Sequence, residues 1–374
     1  MSREIHEIAV IGAGIAGASL AAELAEHAHV LVLEAEDAPG YHATGRSAAF
    51  WDECYGGPGV VPLTLASGGY LRHHGFLHRR GALYIARAGE SAALEAFIKD
   101  YAGSGVTLER LSGAAVRARA ARLRKEWCEA LWEPACADID VAGLHQHYIK
   151  RLKQAGAQLV CRAALARVER SNGVWTITTM RGETYRARRL VNAAGAWADQ
   201  VALAAGVRPI GIAPKRRTVV QLRVAPAAPS DLPLVFDING SFYFKPDAGR
   251  IWLSPHDEIE SEPCDAAPEE LDVALAIDRF EAATDWRIAA VERRWAGLRS
   301  FAPDRLPVYG PDPEVDDFFW FAGQGGFGIQ TAPAAARLAA QLMLGQPRDA
   351  MTRTIDANAY SPARFSNASC AKVG

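Results

Sequence analysis

Residues 6–36, HEIAVIGAGIAGASLAAELAEHAHVLVLEAE, decide the fold. A short apolar run enters a glycine turn, an Ala/Leu-rich stretch of helical character follows, and a second apolar run, VLVLE, closes on Glu34. Gly12, Gly14 and Gly17 form G-x-G-x-x-G, and each position has a task. Gly12 permits the tight turn, Gly14 lets a pyrophosphate approach the backbone, and Gly17 lets the helix pack close to the strand. The helix N-terminus adds free N–H groups and a positive dipole end, and Glu34 stands where an acid accepts ribose hydroxyls. The competing reading is a glycine turn in a purely structural βαβ unit. A strand before the turn, a helix after it and an acid in place favour a dinucleotide site.

Outward from this unit the chain keeps alternating. Residues 81–135 are rich in Ala, Arg and Leu at helical spacing, including GESAALEAFIKDYAG (89–103) and ARAARLRKEWCEALW (118–132), both expected as helices. An amphipathic helix is expected over 143–155, followed by strand-like runs to residue 195. From 215 to 255, aromatic and β-branched residues alternate with polar ones, as strands do; a helix-like stretch follows at 268–284. Residues 316–345, DDFFWFAGQGGFGIQTAPAAARLAAQLMLG, repeat the opening grammar of strand, glycine turn and alanine-rich helix. Two glycine turns at opposite ends of the chain both need to reach one cofactor, so the domains are expected to interleave.

At 374 residues, with a net charge of -2, the chain gives no reason to expect nucleic acid or an acidic membrane as partner. No apolar run approaches membrane-spanning length, and the opening residues leave no room for a secretory signal, so a cytoplasmic protein is expected. Cys54, Cys128, Cys136, Cys161, Cys264 and Cys370 show no CxxC spacing, which argues against a metal site and a disulfide framework.

Seven motifs in order carry a resemblance over nearly the whole chain: VIGAGIAGASLAAEL, YHATGRSAAF, LVNAAGAWAD, PKRRTVVQ, GSFYFKPDAG, RRWAGLRSFAPDRLPVYG and GQGGFGIQTAPAAARLAA. Together they resemble the D-amino-acid oxidase superfamily of FAD enzymes, most closely D-amino acid dehydrogenases of the D-arginine dehydrogenase type. The resemblance implies an α/β (overall α+β) fold: a Rossmann-type FAD-binding domain (1–80, 142–212, 300–374) interleaved with an antiparallel-sheet substrate domain (81–141, 213–299). It implies noncovalent FAD and oxidative deamination of an amino acid by hydride transfer to flavin N5, giving an imine that hydrolyses to 2-oxo acid and ammonia. The implied FAD contacts are Gly12, Gly14, Ile15, Ala16, Gly17, Glu34 and Ala35; then Thr44, Arg46, Ser47 and Ala48 beside the flavin. Val168 lies in the strand that the resemblance assigns to backbone contacts with adenine; Ala194, Gly195 and Trp197 follow, and Gly325, Gly326, Gly328, Ile329 and Gln330 face the flavin from a helix N-terminus.

A substrate carboxylate suits the planar fork of arginine. The resemblance offers Arg217 and Arg299 for that role, with Arg216 pointing to the opposite strand face, and Tyr55 and Tyr243 as accompanying hydroxyls. Relatives taking D-arginine hold its cation with an acid where this chain has Ala82, and carry smaller or more polar residues where it has Phe50 and Phe236. Gly326 completes the expected substrate set. Burying a cationic side chain without a partner is costly, so an apolar or aromatic D-amino acid is expected unless Asp52 or Glu53 supplies the carboxylate. Two rivals stand beside this: a glycine or sarcosine oxidase acting on a small or N-substituted amino acid, and a flavin-binding protein without turnover.

Overall fold

The computed structural model describes residues 4–366, so Cys370 and the outermost ends of the expected FAD-binding segments lie outside the described residues. Strand His6–Ile11 lies parallel to Val30–Leu33 on one side and to Thr184–Asn192 on the other, with Ile8 opposite both Val30 and Arg189. Parallel pairs continue outward to Gln158–Val160 and to Phe318–Ala322, while Leu165–Ser171 and Val174–Thr179 extend the sheet as antiparallel strands. Parallel strands are covered on both faces. Ile8 and Val10 pack under helices Ile15–Leu24, Val141–Gln154 and Gly328–Leu344. Ala9 and Ile11 face a second core built from Trp175, Val201, Phe318 and Trp320. Helix Ile15–Leu24 is buried along nearly its whole length, which explains why its sequence is apolar on every side.

The second sheet is mainly antiparallel, with one parallel pair between Ala82–Arg87 and Leu234–Asp237. Strand alternation divides its residues. Leu83, Val235 and Phe244 pack beneath helix Glu270–Ala283, against Phe280, while Ala82, Phe236 and Tyr243 face the other way, toward the first sheet's cofactor side. A small third sheet joins Phe50–Trp51, Ala137–Ile139 and Leu77–Arg79. Among the described residues no helix is long and apolar enough to cross a membrane.

One expectation is corrected. Residues 118–132 are not one helix: a short helix ends at Arg119, and Trp127–Glu133 is a strand paired with both Ala82–Arg87 and Glu109–Ser112. Pairing on both edges overrides the helix propensity of Ala, Leu and Arg. The long strand Arg287–Phe301 escaped the reading because its middle, Glu292 to Arg294, is exposed and charged. It is held by Ala213–Ala225 along its length, in a register that sets Arg299 opposite Lys215 and Gly297 opposite Arg217.

Candidate active site

The opening turn builds one end of a cavity of about 450 Å³. Gly12 has φ +98°, and a Cβ there would lie 2.6 Å from the Ala193 carbonyl oxygen. A Cβ at Gly17 would lie 1.9 Å from the Gly12 carbonyl oxygen, so this glycine serves helix packing and does not line the cavity. Glu34 is spent partly on the turn: its carboxylate accepts from Ala13 N (2.7 Å) and Glu36 N (3.0 Å) while still lining the cavity. Thr44 Oγ1 accepts from Ile15 N (2.9 Å) and ties the 42–48 loop to the start of the helix. His145, from helix Val141–Gln154, donates Nε2–H to the Ala13 carbonyl (2.9 Å), and burial holds its pKa below the usual range. Nothing in its amphipathic helix pattern marked that second task.

The cavity brings together Gly12, Gly14, Ile15, Ala16, Glu34 and Ala35 with Thr44, Arg46 and Ser47. It also gathers Ala194, Gly195 and Trp197 from the middle of the chain and Gly325, Gly326, Gly328 and Ile329 from its last quarter. Besides Gly17, three expected cofactor residues lie outside the cavity lining, as do Tyr55, Tyr243, Phe50, Ala82 and Phe236 of the expected substrate set. Ala48 packs in the core beside Phe236, and Val168 packs against the Trp175 side of the first sheet, while Ala163, Ala164 and Leu165 line the cavity instead. Gln330 turns away and donates Nε2–H to Tyr55 O (3.0 Å) and Thr64 Oγ1 (2.9 Å), fastening the 50–55 loop. Arg46 lines the cavity, but its guanidinium pairs with Asp265 and donates to the carbonyls of Ala266 (2.9 Å) and Ala296 (3.2 Å).

Arg217 and Arg299 close the far end. Arg217 is 2% exposed; Nε donates to Asp257 O (2.6 Å) and Nη2 to Glu258 (3.2 Å), leaving Nη1 buried without a partner. Burial, and then the neighbouring Arg299 charge, hold its pKa below the usual arginine range. Arg216 points away and pairs with Glu269 and Asp272, as strand alternation requires. Arg299 donates to Tyr55 OH (2.8 Å); burial opposes its charge, and the phenols of Tyr55 and Tyr243 outweigh that. For Tyr243, burial is overcome by the two guanidinium groups, which draw its phenol below the usual range. Gly326 closes this end because a Cβ would meet Tyr55 OH at 2.6 Å and Arg299 Cδ at 3.2 Å.

Behind the arginines the aromatic residues pack on one another. The Phe50 ring lies 5.0 Å from Tyr55 and 5.6 Å from both Phe236 and Tyr243, centre to centre. Ala82 is fully buried on the same sheet face. Asp52 is fully buried as well and accepts from Tyr84 OH (2.6 Å) and Cys54 N (2.9 Å), facing away from the arginines' end of the cavity. His256 escaped the sequence reading: its Nδ1–H donates to Gly240 O (2.9 Å), its ring meets Tyr243 edge-on at 5.5 Å, and burial, then Arg217 and Arg299, push it down to about 3.

A long cavity with a glycine turn, an acid at one end and a helix N-terminus at the other fits a dinucleotide carrying a flavin. Residues 7–342 match the family model for FAD-dependent oxidoreductases of the DAO type. The chain belongs to the DAO family, and FAD is its cofactor. Glycine oxidase from Pseudomonas aeruginosa is 30% identical over 191 residues, covering 50% of this chain and 48% of that protein. Human mitochondrial dimethylglycine dehydrogenase is 26% identical over 238 residues, covering 58% of this chain and 27% of that protein. The matches thus span less than half the length of these curated relatives. Among solved structures, glycine oxidase from Geobacillus kaustophilus superposes with a TM-score of 0.81 at 22% identity, covering 96% of this chain and 98% of that one. L-proline dehydrogenase from P. horikoshii gives 0.83 at 24% identity, with 98% and 99% covered.

Proposed function

We propose that this DAO family member oxidises the carbon–nitrogen bond of an amino acid with an apolar side chain, a D-amino acid in the first instance. The observation that carries this reading is the arginine pair at the closed end of the cavity, one of whose buried N–H groups lacks a partner. A carboxylate supplies the missing acceptor and offsets two buried cations, with bidentate geometry available at either guanidinium. FAD, when bound, supplies the two-electron acceptor for the substrate's α-hydrogen.

The chain's own residues do the rest. Arg299 and Arg217 hold the carboxylate, and Tyr55 fixes the Arg299 fork through its hydroxyl. Two buried guanidinium groups, with the Phe50 and Phe236 rings packed behind them, disfavour an ammonium and favour the neutral amine that the reaction needs. Gly326 allows the closest approach between the clamp and the helix turn. The wall of Phe50, Phe236 and Ala82 offers no carboxylate to a basic side chain, and Asp52 does not line the cavity. The imine product then hydrolyses in water to a 2-oxo acid and ammonia.

A second reading has its own support. The rings of Phe50, Tyr55, Phe236 and Tyr243 fill the space behind the clamp, which favours a small or N-substituted amino acid of the glycine or sarcosine kind. The named activities of the glycine oxidase and dimethylglycine dehydrogenase relatives point the same way. Anaerobic mixing of the FAD-loaded protein with D- and L-amino acids, glycine, sarcosine and dimethylglycine, followed by flavin bleaching, separates the two. Rapid bleaching by an apolar D-amino acid supports the first reading; bleaching by glycine or N-methyl substrates alone replaces it with the second. Preferential bleaching by D-arginine contradicts both.

A further inference from the structure

Behind the aromatic wall lies a group of side chains that this chemistry does not use. Asp52, Glu133 and Cys136 are each completely buried, and one carboxylate oxygen of each acid and the Cys136 Sγ lie within 4.8 Å of one another. One oxygen of each carboxyl is satisfied: Asp52 Oδ1 by Tyr84 OH and Cys54 N, Glu133 Oε1 by Ala135 N at 3.1 Å. The other two, Asp52 Oδ2 and Glu133 Oε2, are buried without a partner oxygen or nitrogen among the described residues, and the weak S–H donor of Cys136 stands beside the Asp52 carboxyl. Two ionised carboxylates in such a place are strongly unfavourable unless a cation or a proton lies with them.

The nearby cations are engaged elsewhere. Lys245 binds Asp138 (2.7 Å) and the Ala49 carbonyl (3.0 Å), and Arg72 stands over the Trp51 ring (5.5 Å) on the Glu53 side. The other facing groups are Tyr84 from the strand above, Cys54 and Glu53 from the same loop, and Tyr101, which donates to the Cys54 carbonyl. None brings positive charge. Burial, then Asp52 and Glu133, raise the Cys136 thiol well above its usual range, which leaves it an S–H donor beside the two carboxyls. A single proton converts two orphan acceptors into a donor and an acceptor. Burial raises both carboxyls, and the charge of Asp52 raises Glu133 further, which agrees with that arrangement.

The pair is wired to the clamp. Tyr55 N donates to Asp52 O (3.3 Å), Asp52 N donates to Gln330 Oε1 (3.3 Å), and Gln330 in turn binds Tyr55 O. Tyr55 OH accepts from Arg299, and Tyr84, held by Asp52, stacks on Phe236 at 4.9 Å. We propose that Asp52 and Glu133 share one proton and act as a positioning element that holds Tyr55, and through it Arg299, in the carboxylate-binding geometry. The second half of this statement rests on the reading of Arg299 as a carboxylate clamp. Loss of the proton at high pH sets two like charges against each other and loosens the loop.

The test uses the FAD-loaded protein and its Glu133→Gln variant, which keeps a donor for Asp52 but cannot titrate. The wild type should show the infrared carbonyl stretch of a protonated buried carboxyl at neutral pH, and the variant should lack it. Acetate affinity, read from the perturbed flavin absorbance, should weaken as pH rises; in the variant that alkaline limb should shrink to the part set by the Tyr243 phenol, which Tyr243→Phe removes separately. With an active substrate, KM should follow the same pattern while kcat does not. Absence of the carboxyl band in the wild type, or a stoichiometric divalent metal in the purified protein, overturns the shared proton. An unchanged alkaline limb in the variant overturns the positioning role. If Glu133→Gln does not fold, Asp52→Asn replaces it, and the wild-type band decides the shared proton alone. Failure of every amino acid to bleach the flavin would count against the proposed function and leave the infrared result untouched.

Discussion

The two ends of the cavity are built from different material. The nucleotide end is backbone and small side chains: Gly12, Gly14, Ala16, Ala194 and Gly195, with the hydroxyl of Thr44 and the acid of Glu34 bracing the turn. The end we propose for substrate is made of large side chains: Arg217 and Arg299 line the cavity, and Tyr55, Tyr243 and Phe236 pack behind them, all drawn from four separate strands and a loop. A site made of backbone depends on local spacing and survives wide changes around it. A site made of side chains depends on strand register, and one residue of slip reverses every side chain on a strand.

The largest expected effect falls at the side-chain end. Arg299→Ala leaves Tyr55 without its donor and the substrate carboxylate half clamped, a loss of about 3 kcal/mol or roughly a hundredfold in KM. Steady-state kinetics that show KM within a factor of two of wild type would remove Arg299 from the clamp. At the backbone end, Gly14→Val places its Cβ 3.2 Å from Thr44 Oγ1 and fills the approach to the turn. FAD affinity should fall by roughly thirtyfold, about 2 kcal/mol, read as flavin absorbance per protein after gel filtration. Full retention of flavin would show that the turn tolerates side chains and that the contrast drawn above is false.

Smaller changes sharpen the contrast. Phe236→Val opens the aromatic wall and should shift kcat/KM toward larger apolar side chains by about tenfold, the scale of one or two methylenes in an apolar pocket. A ratio unchanged across a substrate series would place the side-chain pocket elsewhere. Tyr55→Phe removes one hydrogen bond to a charged group, so KM should rise by about tenfold, or ~1.5 kcal/mol, with the flavin spectrum unaltered. The smallest effect concerns His256. It stays neutral in the folded protein down to about pH 3, whereas an unfolded chain protonates it near its ordinary value of 6.5. The folded state therefore binds fewer protons, and stability falls as pH drops from about 6.5 toward about 3. In His256→Gln the acid-side decline in melting temperature should be shallower; an identical slope would exclude His256 as its source.

The contrast also explains what could be read in advance. The first glycine turn, Glu34, and the glycine turn before helix Gly328–Leu344 were legible because each is a contiguous motif whose geometry is dictated by a few residues. Arg216 and Arg217 show the limit of such reading. Alternation says that they face opposite ways, yet only the pairing of Ala213–Ala225 with Arg287–Phe301 shows Arg217 beside Arg299 and Arg216 against Asp272. Arg46, Gln330 and Val168 also have long-range partners that position in the sequence does not show: Asp265, the 50–55 loop and the core around Trp175.

By itself, the sequence determined the dinucleotide turn, the alternation of strands and helices, and the residue types able to bind a carboxylate. These follow from backbone sterics and side-chain chemistry, which act over a few neighbouring residues. Tertiary structure alone decided which side chains meet. The closed aromatic wall, the neutral His256 and the Asp52–Glu133 contact each join segments far apart in the chain, and their burial creates the low dielectric that gives those contacts their effect.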